Sequence, residues 1–230
     1  MIRAIGFDLD ETLLYRSASL LRFIRHQHAE HHLAQKGVSL QEWCDRFIEW
    51  DRSGYVGKDV VYSRLIDHFH LNEYTVDVLW NEYRNHFHRF CIAMPHARHI
   101  LHRLKTNEMR LALVTNGETV FQKKNAEALG ILPLFDAVFV SEEEGRKKPD
   151  PELFIQAARR MGVPPEFCLF VGDHPVNDIQ GAAAAGMQTA WLKGLSLWPQ
   201  HLTPPTVTLQ SLLDLLPLLE KRKNAFETTA

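Results

Sequence analysis

The sequence predicts an α/β protein: a doubly wound, parallel-sheet domain interrupted near its start by an all-helical insertion. Three observations predict it. Short, nearly continuous apolar runs alternate with helical periodicity, the pattern of parallel strands covered on both faces. One interval, residues 15–92, breaks that alternation and carries helical periodicity alone. Polar residues with chemical potential cluster directly after the apolar runs, where open parallel sheets bind their ligands.

The first run, Ile2 to Leu9, ends in acidic residues and suits a buried strand. Similar runs follow at Arg110–Val114, Ala137–Val140, Cys168–Val171 and Met187–Leu192. Helical patterns lie between them, at His96–Leu104, Val120–Leu129, Pro151–Met161 and Asp178–Ala185. The insertion is too long for a simple crossover and too patterned for a loop. It is broken by Gly37-Val38-Ser39, by Ser53-Gly54-Tyr55-Val56-Gly57 and by Leu71-Asn72, which predicts four helices. The expected organisation is a core domain of residues 1–14 and 93–230, with a helical domain at 15–92. The tail after Pro217, with Lys221-Arg222-Lys223-Asn224, reads as a solvated helix end.

The insertion holds 13 of the chain's 23 aromatic residues, enough to pack a small core of its own. Tyr55, between paired glycines, is the one whose loop could reach a substrate.

With 230 residues, 45% hydrophobic and 23% charged, the composition is that of a globular protein with a substantial core. A formal charge of -2, from 26 basic and 28 acidic residues, gives no electrostatic reason to expect a nucleic acid polymer or an anionic membrane as partner. No apolar run approaches the roughly 20 residues that span a bilayer. The N-terminus lacks the basic and apolar regions of a leader, and Cys44, Cys91 and Cys168 form no C-x-x-C pair. A cytoplasmic location with reduced thiols is expected.

Four strand ends carry the chemistry. The first is followed by Asp8-Leu9-Asp10-Glu11-Thr12, the second by Thr115-Asn116-Gly117, and the fourth by Gly172-Asp173-His174 and then Asn177-Asp178. After the third comes Arg146-Lys147-Lys148-Pro149. Carboxylates gathered in one crevice repel one another unless a cation or proton sits among them. Oxygen ligands select a hard cation, and Mg²⁺ is the usual choice where phosphate oxygens complete its shell. A lysine beside such a site would help neutralise a phosphoryl group under attack by a carboxylate. A second carboxyl two residues away could protonate the leaving oxygen and later deprotonate water.

Together Asp8-Leu9-Asp10-Glu11-Thr12-Leu13, Thr115-Asn116-Gly117, Lys148-Pro149-Asp150-Pro151 and Gly172-Asp173-His174-Pro175-Val176-Asn177-Asp178 resemble the four ordered motifs of the haloacid dehalogenase superfamily. The resemblance runs from about Ile2 to Leu192, and the insertion stands where that superfamily carries its helical C1-type cap. It implies a Rossmann-like core, an Mg²⁺ cofactor and hydrolysis of a small phosphate ester through an aspartyl-phosphate. By the same resemblance Asp8 would be the nucleophile and an Mg²⁺ ligand. Asp10 would be the general acid/base and would offer its backbone carbonyl to the metal. Thr115 and the backbone around Asn116 would hold phosphate oxygens. Lys148 would bridge nucleophile and phosphate, Asp173 would ligate Mg²⁺, and Asp178 would act in the outer shell or through water.

Other readings of these residues exist. Asp178 could simply cap the helix that follows it, and Thr115-Asn116-Gly117 could be an ordinary turn. Lys147 competes with Lys148, but the residue adjoining Pro149 is the one held extended. The helical histidine pairs, His28 with His32 and His96 with His99 and His102, lack a patterned third ligand and read as solvated faces. His174 is assigned proximity to the site and no role.

Two alternatives to a phosphatase stand. A 2-haloacid dehalogenase would use the same nucleophile on carbon without metal, but such members typically lack the second aspartate, here Asp10. A non-catalytic phosphate or metal binder would normally have lost the nucleophile or a metal ligand, whereas Asp8, Asp10, Lys148 and Asp173 are all present. The substrate could be a nucleotide, flavin mononucleotide, a sugar phosphate or another metabolite, and oligomeric state is not encoded legibly.

Overall fold

A computed structural model of the chain describes residues 2–194 and 197–217. The basic stretch Lys221–Asn224, expected as a helix end, lies outside the described residues. The chain divides into two compact units, Arg16–Ile92 and the remainder.

The helical unit contains α1 (Arg16–Glu30), α2 (Leu40–Asp51), α3 (Lys58–Phe69) and α4 (Val76–His86). Its breaks follow from local chemistry. Gly37 takes a left-handed conformation (φ 82°), and the Ser39 hydroxyl then accepts the Glu42 N–H to start α2. Thr75 starts α4 in the same way, accepting from Val78 N–H. Phe23, Trp43, Phe47 and Tyr62 are fully buried among these helices. The Trp43 indole donates to the Ile24 carbonyl at 3.1 Å and Tyr62 donates to Gln27 Oε1 at 3.1 Å, so the polar ends of both rings are satisfied. Asp51, almost wholly buried, accepts from Arg16 at 2.9 Å and pairs with Lys58 at 2.5 Å, tying the starts of α1 and α3 to the end of α2. His28 does not lie on a solvated face; it is buried, its Nε2 2.8 Å from the Val38 carbonyl oxygen. A hydrogen bond across the α1–α2 turn makes that burial tolerable. His32, His96, His99 and His102 are exposed.

The described residues of the other unit form six strands: β1 (Ala4–Phe7), β2 (Arg110–Thr115), β3 (Ala137–Val140), β4 (Cys168–Gly172), β5 (Gln188–Leu192) and β6 (Val207–Leu209). They form one sheet in the order β3-β2-β1-β4-β5-β6, with every neighbouring pair parallel. The sixth strand was not expected: it is three residues long at the sheet edge, too short for a periodic signal. The helices are α5 (Ala97–Thr106), α6 (Thr119–Ala128), α7 (Ser141–Glu144), α8 (Pro151–Met161) and α9 (Gly181–Ala184). The helix expected from Asp178 instead begins with a wide π-type turn, Pro175–Gln180, before α9. His174 precedes it, its Nδ1 accepting the N–H groups of Val176 and Asn177.

Strands β1 and β4 are buried throughout, as a sheet covered on both faces requires. On one face Leu153, Phe154, Ala157 and Ala158 of α8 pack on Ala112, Val114 and Phe170. Phe154 meets Phe170 edge-on, ring centroids 4.8 Å apart. The strand order reverses its direction of growth between β1 and β4, and such a switch point opens a crevice beyond the strands' carboxyl ends. Asp8 leaves β1 and Asp173 leaves β4 at that point.

Candidate active site

The strand ends converge because register brings them level: Phe7 pairs with Leu113 of β2 on one side and with Val171 of β4 on the other. Asp8 and Asp173 therefore emerge side by side, with Thr115 beyond Leu113 on the adjoining strand. Asp8, Thr115, Lys148 and Asp178 are all buried, while Asp10 and Asp173 are partly open.

Lys148 sits at the centre. Its Nζ lies 2.5 Å from Asp8 Oδ1 and 2.6 Å from Asp178 Oδ1. Lys147 and Arg146 are exposed, and Arg146 pairs with Asp150 at 3.0 Å. Burial alone would lower the Lys148 pKa, but Asp178 and Asp8 more than offset it and the ammonium is held charged well above its ordinary range. The lysine's backbone is fixed by Asn116, whose Oδ1 accepts Lys148 N–H at 2.8 Å and whose Nδ2 donates to Lys148 O at 3.1 Å. The Asn116 side chain is thus occupied in placing Lys148.

Asp178 does not cap the helix; its Oδ2 accepts the backbone N–H of His174 at 2.9 Å, and its Oδ1 meets Lys148. One oxygen from each of Asp8, Asp173 and Asp178 lies within 4.8 Å of the others. Asp178 therefore stands as near the centre of the site as Asp173 does. Gly172 makes this possible: a Cβ there would fall 2.5 Å from the Asp178 carboxyl carbon. The Asp10 side chain is not among the three clustered carboxylates.

The electrostatics record a shortage of positive charge. Burial raises the Asp8 carboxyl to about 7, with Lys148 opposing and Asp178 and Asp10 adding to the rise. Burial, with Asp8 and Asp178, raises Asp173 to about 9. Among the described residues three carboxylates share one ammonium, and when all are ionised the deficit is two positive charges, the charge of one divalent cation. Donors that are all oxygen fit a hard ion such as Mg²⁺. The residues present fit the metal.

Gln122 is a site residue that the sequence reading missed. It is buried in α6, and its Nε2 lies 2.8 Å from Asp10 Oδ2, 2.9 Å from Thr115 Oγ1 and 3.0 Å from the Asn116 carbonyl oxygen. A signal was available. Gln122, Asn125, Ala126 and Leu129 occupy the i, i+3, i+4, i+7 spacing of a core-facing stripe, yet two of the four are amides.

The sequence matches the haloacid dehalogenase-like hydrolase family over residues 2–186. The glyceraldehyde 3-phosphate phosphatase of Pyrococcus abyssi is 30% identical over 199 residues, covering 84% of this chain and 82% of that protein. The protein of the same description from Methanocaldococcus jannaschii is 30% identical over 236 residues, 96% of this chain and 100% of the relative. Among solved structures, a 2-haloacid dehalogenase from Pseudomonas syringae superposes with a TM-score of 0.62 at 25% identity, covering 96% of this chain and 99% of the other.

Proposed function

The chain belongs to the haloacid dehalogenase-like hydrolase family, and on that premise we propose that it is an Mg²⁺-dependent phosphatase of small phosphorylated metabolites. The observation that carries the reading is the buried Asp8–Lys148–Asp178 cluster with Asp173 beside it and Asp10 two residues after Asp8 in the sequence. Both curated relatives described above are phosphatases by name, which supports phosphate esters over halogenated acids. Asp10 supports the same choice, since attack on a carbon–halogen bond has no use for an acid that protonates a leaving alcohol.

Asp8 would attack phosphorus, forming an aspartyl-phosphate as the bond to the leaving oxygen breaks. Asp10 would give that oxygen its proton. Water would then attack the same phosphorus, passing a proton to Asp10 and releasing phosphate and free Asp8. Lys148 holds Asp8 in place and offsets charge that grows on the phosphoryl oxygens. Thr115 and the backbone of the Asn116 turn would receive those oxygens. Asp8, Asp173 and the backbone carbonyl of Asp10 would hold Mg²⁺, with Asp178 near enough to bind it directly or through water. What a bound Mg²⁺ supplies is neutralisation and polarisation of the phosphoryl group.

The helical unit is read as a cap that sets specificity. The names of the relatives make glyceraldehyde 3-phosphate the first substrate to try. Among the described residues no helix is long and apolar enough to cross a membrane. The three cysteines are free thiols, which favours the cytoplasm.

Phosphate release from glyceraldehyde 3-phosphate and from an aryl phosphate, with and without Mg²⁺, tests the reading. The wild-type chain should turn over at least one of them only with the metal, and Asp8→Asn should not. Metal-independent halide release from 2-chloropropionate would overturn it.

A further inference from the structure

We propose that Gln122 is the positioning residue of the general acid/base: its carboxamide fixes which oxygen of Asp10 carries the proton and where that oxygen lies relative to the phosphate-binding turn. The inference rests on the reading of Asp10 as acid/base.

The amide orientation follows from its surroundings. Three oxygens, Asp10 Oδ2, Thr115 Oγ1 and Asn116 O, lie within 3.0 Å of Nε2. On the other side Asn125 Nδ2 lies 3.4 Å from Oε1. A flipped amide would set an acceptor against a carboxylate and a carbonyl, so the nitrogen faces the site. Its two hydrogens cannot serve three acceptors fully, and Thr115, which is also a donor, can relieve the contest by turning its hydroxyl to the Asn116 carbonyl at 3.5 Å. A hydroxyl free to turn in this way has a second use, as a donor to a phosphoryl oxygen.

The bond to Asp10 Oδ2 occupies that oxygen as an acceptor. A donated hydrogen bond makes Oδ2 the less basic of the two oxygens, so the proton transferred during the reaction is carried by Oδ1. In the first half-reaction Oδ1 gives its proton to the leaving oxygen as the phosphorus–oxygen bond breaks; in the second it takes one from the attacking water. Gln122 touches no reacting atom. Its effect passes through Asp10, and its grip on Thr115 Oγ1 and Asn116 O references Asp10 to the turn that receives the phosphoryl group. Gly117 gives the side chain its room: at its φ of 144° a larger residue is strained, and a notional Cβ would press to 3.0 Å on Gln122 Cγ.

The test compares kcat/KM for two Mg²⁺-supported substrates, an alkyl phosphate whose leaving alcohol needs a proton and p-nitrophenyl phosphate whose leaving group does not. Gln122→Met keeps the volume and removes the donor. It should lower the alkyl/aryl ratio about tenfold or more, and Asp10→Asn should lower the same ratio further. Adding Gln122→Met to Asp10→Asn should then cost little more. The ratio is independent of the fraction of active protein, so partial unfolding cannot imitate the effect. If Gln122→Met does not fold, Gln122→Glu, which replaces the donor by an acceptor, is read in the same way. A ratio unchanged in the Gln122 variants, with Asp10→Asn still lowering it, overturns the role of Gln122 and leaves the acid/base reading standing. A ratio unchanged in Asp10→Asn overturns that reading and the inference with it.

Discussion

Asn116 and Lys148 hold each other by two opposed hydrogen bonds, the carboxamide of one closing on the backbone N–H and C=O of the other at 2.8 and 3.1 Å. The second strand end thereby fixes the third, and the lysine that faces Asp8 is located by a residue 32 positions earlier. Asn116→Ala leaves Lys148 N–H and C=O without these partners, a cost of about 1–3 kcal/mol. We expect kcat to fall about a hundredfold as Nζ drifts from Asp8. Asn116→Asp, which can accept but not donate, should recover part of the loss. Steady-state kinetics and thermal unfolding of both variants check this.

Lys148→Met removes the ammonium that, among the described residues, pairs with Asp8 and Asp178 in this cluster. Breaking a buried pair costs roughly 3–5 kcal/mol because the remaining charges are stranded. The variant should be inactive and should unfold at lower temperature than wild type at neutral pH. Because protonation of Asp8 removes part of the stranded charge, the difference in melting temperature should narrow towards acid. A constant difference across pH would place the destabilisation in packing instead.

The raised carboxyls give the metal-free protein a defined pH dependence. Asp8 sits at about 7 and Asp173 at about 9 in the fold, against about 4 in an unfolded chain. Folded protein thus binds protons that the unfolded chain has already released. The stability this contributes is full below about pH 4 and is lost as pH rises through about 7 and then about 9. Mg²⁺ requires the ionised carboxylates, so its stabilising effect should have the opposite trend. The rise in melting temperature on adding Mg²⁺ should be larger at about pH 8 than at about pH 6. Thermal scans at fixed Mg²⁺ across that range give the answer, and an equal rise at both would contradict it.

Gly172→Ala forces a methyl to within 2.5 Å of the Asp178 carboxyl carbon. Neither the strand nor the π-type turn can yield cheaply, since Asp178 is tied to Lys148 and to His174 N–H. Overpacking of this kind costs about 1–3 kcal/mol. We expect loss of both activity and the Mg²⁺-dependent rise in melting temperature, measured in the same preparations. Gly194→Ala, where a Cβ meets nothing within 4 Å, is the control that should change neither.

How much of this could be read from residues alone differs by element. The five longer strands were legible because burial on both faces leaves continuous apolar runs, whereas β6 offers only Val207-Thr208-Leu209. The helical breaks were legible because Gly37, Ser39 and Thr75 perform their turns locally. Asp8, Asp10, Thr115 and Asp173 could be singled out because each ends or closely follows a strand-like run, and Lys148 because it adjoins Pro149 in a motif of the family. The depth of Asp178 could not, since it depends on a π-type turn and on the missing Cβ of Gly172, neither of which has a periodic signature. The burial of His28 and the role of Gln122 are illegible in the sequence for a shared reason. Polar residues at core-facing helix positions are satisfied by partners distant in sequence, such as Val38 and Asp10, and no local rule supplies those partners.

As the nucleophile, Asp8 should become phosphorylated during turnover. Acid quenching in the steady state with Mg²⁺ and substrate, followed by borohydride reduction and mass spectrometry of the peptide containing Asp8, tests it most directly. Homoserine should appear at position 8, dependent on substrate and abolished in Asp8→Asn. Full phosphatase turnover with no reducible adduct at position 8, or with the adduct on another residue, would contradict it.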